Sequence, residues 1–332
     1  MKKSTRNILI GTGIVTSSLI GAGVVSYFVT KKLVEIAMDR NQNEIVDISN
    51  KKIEEIPELK AFKEKREQSA KELGKTYTET IEIIARDNTK LIGHWSICKN
   101  AKRIVIAVHG WRSSWTMDFG MIADFLQKNG CNVLYVEQRG QNNSGGEYIG
   151  FGLTERYDCL EWINWLKEQD IEELPIYLCG VSMGASTVLM TAGFELPSNV
   201  HGIIADCGYT SPYAIWKYVA ENSLHFYYDH IMSDIADDMC RAKIKIGPKD
   251  YSCPQAMEKC DVPVLFIHGT DDDFVPVEMT YENYKACKAP KRLLVVPGAG
   301  HGMSYMVDQN KYEQAVKQFW EDFDRLEPDE DR

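Results

Sequence analysis

Six stretches of this chain are near-continuously apolar and β-forming: RIVIAVHG from Arg103, NVLYVEQRG from Asn132, PIYLCGVS from Pro175, VHGIIADCG from Val200, VPVLFIHGT from Val262 and KRLLVVPGAG from Lys291. A strand with one wet face alternates apolar and polar residues. These do not, so both of their faces must be covered. Helical patterns stand between them, at Asp118 to Lys128, at Arg156 to Gln169 with Leu160, Ile163, Trp165 and Leu166, and at Gly184 to Phe194. Strand and helix in repeated succession predict a parallel sheet layered by helices on both faces. Ahead of them TETIEIIA and LIGHWSIC read as an opening hairpin. With 332 residues, 44 % of them hydrophobic, the chain can bury one α/β domain of about 250 residues and still carry an appendage.

In such sheets, sites form outside the carboxyl ends of the strands. Those ends carry His109-Gly110-Trp111, Ser182, Asp206, Asp271 to Asp273 and His301. Ser182 stands between Gly180 and Gly184 in the spacing G-x-S-x-G, just after an apolar run. A nucleophile on so tight a strand-to-helix turn has no room for side chains at the flanking positions, and glycine removes the collision.

The order of these elements, the elbow Gly180-Val181-Ser182-Met183-Gly184, the His-Gly after the third strand, HGTDDDFVP from His268 and GAGH ending at His301 resemble the α/β-hydrolase superfamily over about residues 76–326. YVEQRGQNNSGG is similar to the D-x-R-G-x-G-x-S turn of that superfamily, with Glu137 where many relatives carry aspartate, a difference expected to matter for packing. ADCGYTSP resembles bacterial membrane-anchored hydrolases of the YqkD-like group. The resemblance implies an α/β-hydrolase fold: a mostly parallel, doubly wound, eight-stranded sheet with a small helical cap, and a triad in the chain order Ser, Asp or Glu, His.

A serine hydroxyl is a weak nucleophile near neutral pH and needs a base within hydrogen-bond reach, itself oriented by an acid. Of seven histidines only His301 follows the aspartate cluster, which makes it the base. Gly298, Gly300 and Gly302 suit a loop turning back toward Ser182. The relatives' pattern H-G-x-x-D-x-x-V-P places the acid at Asp272, with Asp206 as the other position where the fold can carry it. Asp271 and Asp273 are expected to cap the next helix or the turn, and His109 and His268 to shape loops. Two backbone N–H groups should face the oxyanion of the tetrahedral intermediate, those of Met183 and Trp111. Trp111 is equally placed to line the acyl pocket or to pack on the surface. The segment of about 208–261, rich in tyrosine, corresponds to the cap, and its rings serve either an apolar pocket or the cap's own core.

Residues 8–29, ILIGTGIVTSSLIGAGVVSYFV, run 22 positions without a charge, enough at 1.5 Å per residue to span a hydrocarbon core of about 30 Å. A cleaved signal peptide competes, since Ala22 and Gly23 are small, but the length favours a retained anchor. The expected layout is a basic tail over 1–7, a transmembrane anchor over 8–30, a charged helical stalk over 31–75 packed loosely on the domain, the hydrolase domain over 76–326 and an acidic tail over 327–332. Basic residues flank the span almost equally, so charge does not fix its orientation. A leading anchor defaults to an extracytoplasmic domain, whereas nine cysteines suit a reducing compartment better.

A net charge of -10, with no basic cluster interleaved with aromatics, argues against nucleic acid as a partner. The cysteines form neither C-x-x-C nor Cys/His ligand spacings, so no metal or cofactor is expected. The reading is a membrane-anchored serine esterase acting on a small-molecule ester with an apolar acyl or aryl group. A thioesterase or small peptidase using the same triad, or a non-catalytic binding protein on a hydrolase fold, are the alternatives. Three filled triad positions argue against the last, a serine in the nucleophile's place argues against a dehalogenase, and the lack of β-propeller repeats argues against an oligopeptidase of that architecture.

Overall fold

The computed structural model describes residues 25–41, 57–76, 78–169 and 174–324. The basic tail, most of the expected span, part of the expected stalk and the acidic tail lie outside them. Among the described residues no helix is long and apolar enough to cross a membrane.

The first described helix, α1, covers residues 25–38. After α2 (Pro57–Leu73) come β1 (Glu79–Ile84), β2 (Lys90–Ser96), β3 (Arg103–Val108), α3 (Trp115–Phe119), α4 (Ala123–Lys128), β4 (Cys131–Glu137), α5 (Glu155–Glu168), β5 (Ile176–Val181) and α6 (Met183–Thr191). The second half adds β6 (Val200–Asp206), α7 (Pro212–Tyr218), a π-helical turn (Val219–Ser223), α8 (His230–Ile244), α9 (Cys253–Met257), β7 (Val264–Gly269), α10 (Val277–Ala286), β8 (Lys291–Val296), α11 (Ser304–Val307) and α12 (Gln309–Phe323). The eight strands form one sheet in the order β1-β2-β4-β3-β5-β6-β7-β8. β1, β2 and β4 pair antiparallel, and all other neighbours are parallel. This is the α/β-hydrolase fold.

The near-continuous apolar strands have the predicted cause. Every residue of β3 is buried, and alternate side chains leave on opposite faces. Ile104, Ile106 and Val108 pack with Trp162, Ile163, Val188 and Leu189 of α5 and α6. Val105 and Ala107 pack with Phe119, Phe125, Phe319 and Trp320 of α3, α4 and α12. The helix expected over Asp118 to Lys128 is two short ones. The break falls beside Gly120, where a Cβ would lie 2.7 Å from the Ser69 carbonyl carbon of α2; close passage of α2 interrupts the run.

A third apolar cluster sits over the carboxyl ends of the strands, joining α1 (Val34, Met38) to the cap (Ile215, Tyr228, Met232, Ala236) and to Met183 beside the nucleophile position. The charged stretch after the span is therefore not loosely packed where it is described. Ile149 N–H donates to Met38 O at 2.7 Å and Arg40 N–H to Glu147 O at 3.0 Å, and Lys243 pairs with Asp39 at 2.6 Å. From α2, Arg66 pairs with buried Asp118 and donates to Met117 O at 3.0 Å. The helical spacing of this stretch was legible; its partners lie far along the chain and were not.

Met38 is fully buried in that third cluster. Met38→Ala should lower the unfolding free energy by about 2–5 kcal/mol, read from urea denaturation of the full chain. A change within about 0.5 kcal/mol, the range of exposed sites, would mean that α1 does not pack on the domain.

Candidate active site

Ser182 lies between the last residue of β5 and the first of α6, with φ 56° and ψ −117°. A non-glycine residue in this region costs on the order of 1–3 kcal/mol and persists only where its surroundings over-determine it. Here they do. A Cβ on Gly180 would lie 2.2 Å from Gly184 O, and one on Gly184 would lie 1.9 Å from Val108 O. Strand, turn and helix are pressed together, and Ser182 N–H is fastened to Asp206 O at 2.8 Å.

The structure brings Ser182, His301 and Asp272 into one hydrogen-bonded line. His301 Nε2 lies 2.9 Å from Ser182 Oγ and its Nδ1 lies 2.7 Å from Asp272 Oδ2. An ionised carboxylate only accepts, so Nδ1 carries the proton and Nε2 is left to accept from the serine hydroxyl. The loop after β8 that presents His301 turns through positive φ at Gly298 (74°) and Gly302 (67°). Asp206, the alternative acid, makes no hydrogen bond to His301 among the described residues; its carboxyl is buried, with one oxygen unpartnered, and desolvation pushes it up to about 6.

Asp272 is buried and saturated with donors. Its Oδ1 accepts from the backbone N–H groups of Phe274 at 3.0 Å and Val275 at 2.8 Å, so the expected acid itself caps this turn. The expected helix-capping role of Asp271 and Asp273 is not seen, because the N-cap of α10 is Pro276, with no side-chain cap bond. Oδ2 receives His301 and also His268 Nε2 at 3.0 Å. His268 Nε2 faces a second acceptor, Val275 O, at 2.9 Å, which fixes the proton on that nitrogen, while Thr280 Oγ1 donates to Nδ1 at 2.7 Å. His268 thus shapes the loop as expected and also orients the acid. Burial opposes the charge on Asp272, but the two histidines and the backbone donors hold its carboxyl far below the usual carboxylate range.

Burial likewise disfavours an imidazolium at His301, yet negative charge at Cys207, where that thiol ionises, and at the Asp272 carboxylate raises its pKa above 6.5. Burial pushes the Cys207 thiol up to about 11, so it is neutral at pH 7 and the carboxylate supplies the charge that matters there. The Cys207 sulfur lies within 4.8 Å of the nearest ligand atoms of Asp272 and His301. It is a neighbour that sequence spacing gave no reason to single out.

The loop after β3 reaches Ser182. A Cβ on Gly110 would stand 3.3 Å from Ser182 Cβ. Gly110 N–H is taken by Asp118 Oδ2 at 2.6 Å, and Arg112 N–H by Gln141 Oε1 at 2.5 Å. Among the described residues the N–H groups of Trp111 and Met183 donate to no protein acceptor, the state required of an oxyanion hole. The far side of this loop grips α1. Trp111 Nε1 donates to Ala37 O at 2.9 Å, and the Arg112 guanidinium donates to Ile36 O at 2.8 Å and Asp39 O at 2.6 Å. His109 bonds Gly110 O and accepts from Gln138 N–H, a loop-shaping role as expected. Glu137 is also structural: it accepts from His94 at 2.8 Å and Asn143 N–H at 2.5 Å.

Ser182 opens into a cleft with about 830 Å³ of empty space, its mouth included, bounded by Trp111, Phe151, Met183, Tyr209, Trp216, Tyr228 and a face of α1. Both expected uses of the cap aromatics occur, since Tyr209, Trp216 and Tyr228 line the cleft while also packing into the third cluster. Among the described residues no charged side chain lines it.

Residues 117–324 match the model of the prolyl oligopeptidase family, more than half of the chain. The chain belongs to the prolyl oligopeptidase family. This family member is 31% identical over 193 residues to the uncharacterized protein YqkD of Bacillus subtilis, a match covering 57% of this chain and 62% of that protein, so it spans less than two thirds of that relative's length. It is 25% identical over 231 residues to the uncharacterized protein YfhR of Escherichia coli K12, covering 67% of this chain and 73% of YfhR. Among solved structures it resembles the Pyrococcus furiosus esterase Pf2001, with TM-score 0.61 and 26% identity over 77% of this chain and 96% of the esterase. Family and neighbour together make the chain a hydrolase of the ester- or peptide-cleaving kind.

A protonated imidazole cannot accept the serine proton, so kcat/KM should fall as pH drops through the His301 pKa. Because that pKa is raised, the acid limb is expected above pH 6.5. Asp272→Asn removes the charge that favours the imidazolium and should move the limb downward while lowering kcat about 10⁴-fold. A limb that Asp272→Asn leaves in place would show that Asp272 does not set it.

Proposed function

We propose that the chain is a serine esterase that cleaves carboxylic esters with apolar acyl or aryl groups through an acyl-enzyme on Ser182. One observation carries this reading: the hydrogen-bonded line Ser182–His301–Asp272 opens into a cleft that no charged side chain lines among the described residues. A peptide brings several backbone amides that need partners, and an apolar wall leaves them unpaired. An acyl or aryl chain needs none. The name of the family favours the peptidase alternative, and the substrate panel below separates the two.

In the proposed reaction Ser182 Oγ bonds to the carbonyl carbon while its proton passes to His301 Nε2. The carbonyl oxygen becomes an oxyanion that accepts from the N–H groups of Met183 and Trp111, each worth about 3–4 kcal/mol by analogy with measured donors. Asp272 stabilises the imidazolium and keeps its ring aimed at the serine. Collapse breaks the bond to the alcohol oxygen, which leaves with the proton from His301. Water then attacks the acyl-serine, gives its proton to His301, and the acid departs as Ser182 regains the proton.

The uncharged run over residues 8–29 supports a retained membrane anchor, and we place the hydrolase domain on the extracytoplasmic side, the default for a leading anchor. Protease added to intact cells should then remove the domain; full protection would reverse the orientation.

A fluorophosphonate probe should label Ser182, and Ser182→Ala should abolish labelling. His301→Ala should lower kcat by about 10⁴–10⁶ with the fold retained by circular dichroism. On a panel of p-nitrophenyl esters and aminoacyl amides, esters should be the better substrates; faster amide cleavage would favour the peptidase reading.

A further inference from the structure

We infer that the substrate is a single-chain acyl ester resident in a lipid bilayer, and that α1 both walls the acyl cleft and holds its mouth at the bilayer surface. This rests on the esterase and anchor readings above.

The cleft runs between two walls. One is α1, through Thr30, Leu33, Val34 and Ala37, and the other is the cap, through Ala220 and Leu224. These residues line one continuous cleft, and one cleft takes one acyl chain. At its deep end α1 is fixed by Trp111 and Arg112, the residues at the proposed oxyanion hole. From Ala37 outward to Phe28 the helix rises about 14 Å at 1.5 Å per residue. There it presents Val25, Tyr27 and Phe28 to solvent, Phe28 at 62% exposure. The cap, for its part, presents Phe226, Tyr227 and Ile231 to solvent, Tyr227 at 82%. The two sets adjoin, since Thr30 and Leu224 border the same cleft and Val29 packs in one cluster with Tyr228 and Met232. Large apolar side chains gathered at the rim of an apolar cleft mark a surface that is covered in use.

The chain itself names the cover. Residues 8–24 precede α1 without a charge and run unbroken into Val25–Val29, and Lys31 and Lys32 follow at once. This is the order of a hydrophobic span giving way to cations at the headgroup level. The exposed rim of α1 is the last part of that apolar run, so a bilayer that holds residues 8–24 also meets the rim. An acyl chain entering between α1 and Leu224 passes from lipid to an apolar wall without crossing water, and its ester arrives at Ser182.

The test uses the full chain reconstituted in phosphatidylcholine vesicles containing a long-chain monoacylglycerol, with soluble p-nitrophenyl acetate as a second substrate on the same preparation. Wild type should cleave both. Phe28→Asp with Tyr227→Asp should lower monoacylglycerol cleavage at least about tenfold relative to acetate cleavage, because charges at the rim oppose its seating in lipid. Leu33→Trp, which narrows the cleft, should lower kcat/KM for a dodecanoyl relative to an acetyl p-nitrophenyl ester by about tenfold or more. Ser182-dependent acetate cleavage with no monoacylglycerol cleavage, or with ratios unmoved in both variants, overturns the bilayer substrate and leaves the esterase reading standing. Acetate cleavage that survives Ser182→Ala overturns the esterase reading itself.

Discussion

Gly184 passes so close to β3 that a methyl group on its Cα would lie 1.9 Å from the Val108 carbonyl oxygen, and the placing of Ser182 follows from that approach. The parallel pairing of β3, β5 and β6 sets Val108 level with Gly180 and Val181 level with Asp206, so the strand ends form one rim. The turn out of β5 must then rise over its neighbours within a single residue. Ser182 takes the strained backbone this requires, and the penalty is held by the sheet beneath. The hydroxyl that results stands clear of its own helix with its backbone already fixed, so little rearrangement separates the resting site from an attacking one.

Electrostatics finish what the backbone begins. Asp272 is buried, yet it takes four donors: two backbone N–H groups and two imidazoles. An acid so thoroughly bonded stays ionised and does not swing. Of the two imidazoles bonded to it, His268 also bonds Thr280 and Val275, and His301 is the one that reaches Ser182. His268 therefore braces the acid that orients His301, and in the proposed reaction the proton moves along the line from Ser182 to His301.

The same economy joins the start of the chain to the site. Trp111 and Arg112 follow directly on the glycine that borders Ser182, and their side chains hold the carbonyls that end α1. Helix ends leave such carbonyls unpaired unless something supplies donors. Here the donors come from the loop whose backbone faces the proposed oxyanion. The loop at the proposed oxyanion hole and the end of α1 are thus held together by direct hydrogen bonds.

Much of this was legible in the chain. Unbroken Val, Ile and Leu runs reported burial on both faces, because a strand between two helical layers has no wet side to record. Gly180 and Gly184 reported the crowding, since glycine alone tolerates it, and Ser182, Asp272 and His301 could be placed together because each closes a strand at the same rim. What stayed hidden depends on contacts between residues distant in sequence. The break at Gly120 comes from α2, the grip on Asp272 includes His268, and the packing of α1 over the cleft comes from Trp111, Arg112 and the cap. Local periodicity states which face of a helix is apolar but carries no record of what that face meets. By itself the sequence determined the layered sheet and set Ser182, His301 and the candidate acids at its edge, while the choice of Asp272 over Asp206 came from the likeness to relatives. Only the tertiary structure decided that a charged, helical lead-in closes one side of the cleft, because that depends on which distant surfaces are complementary in shape.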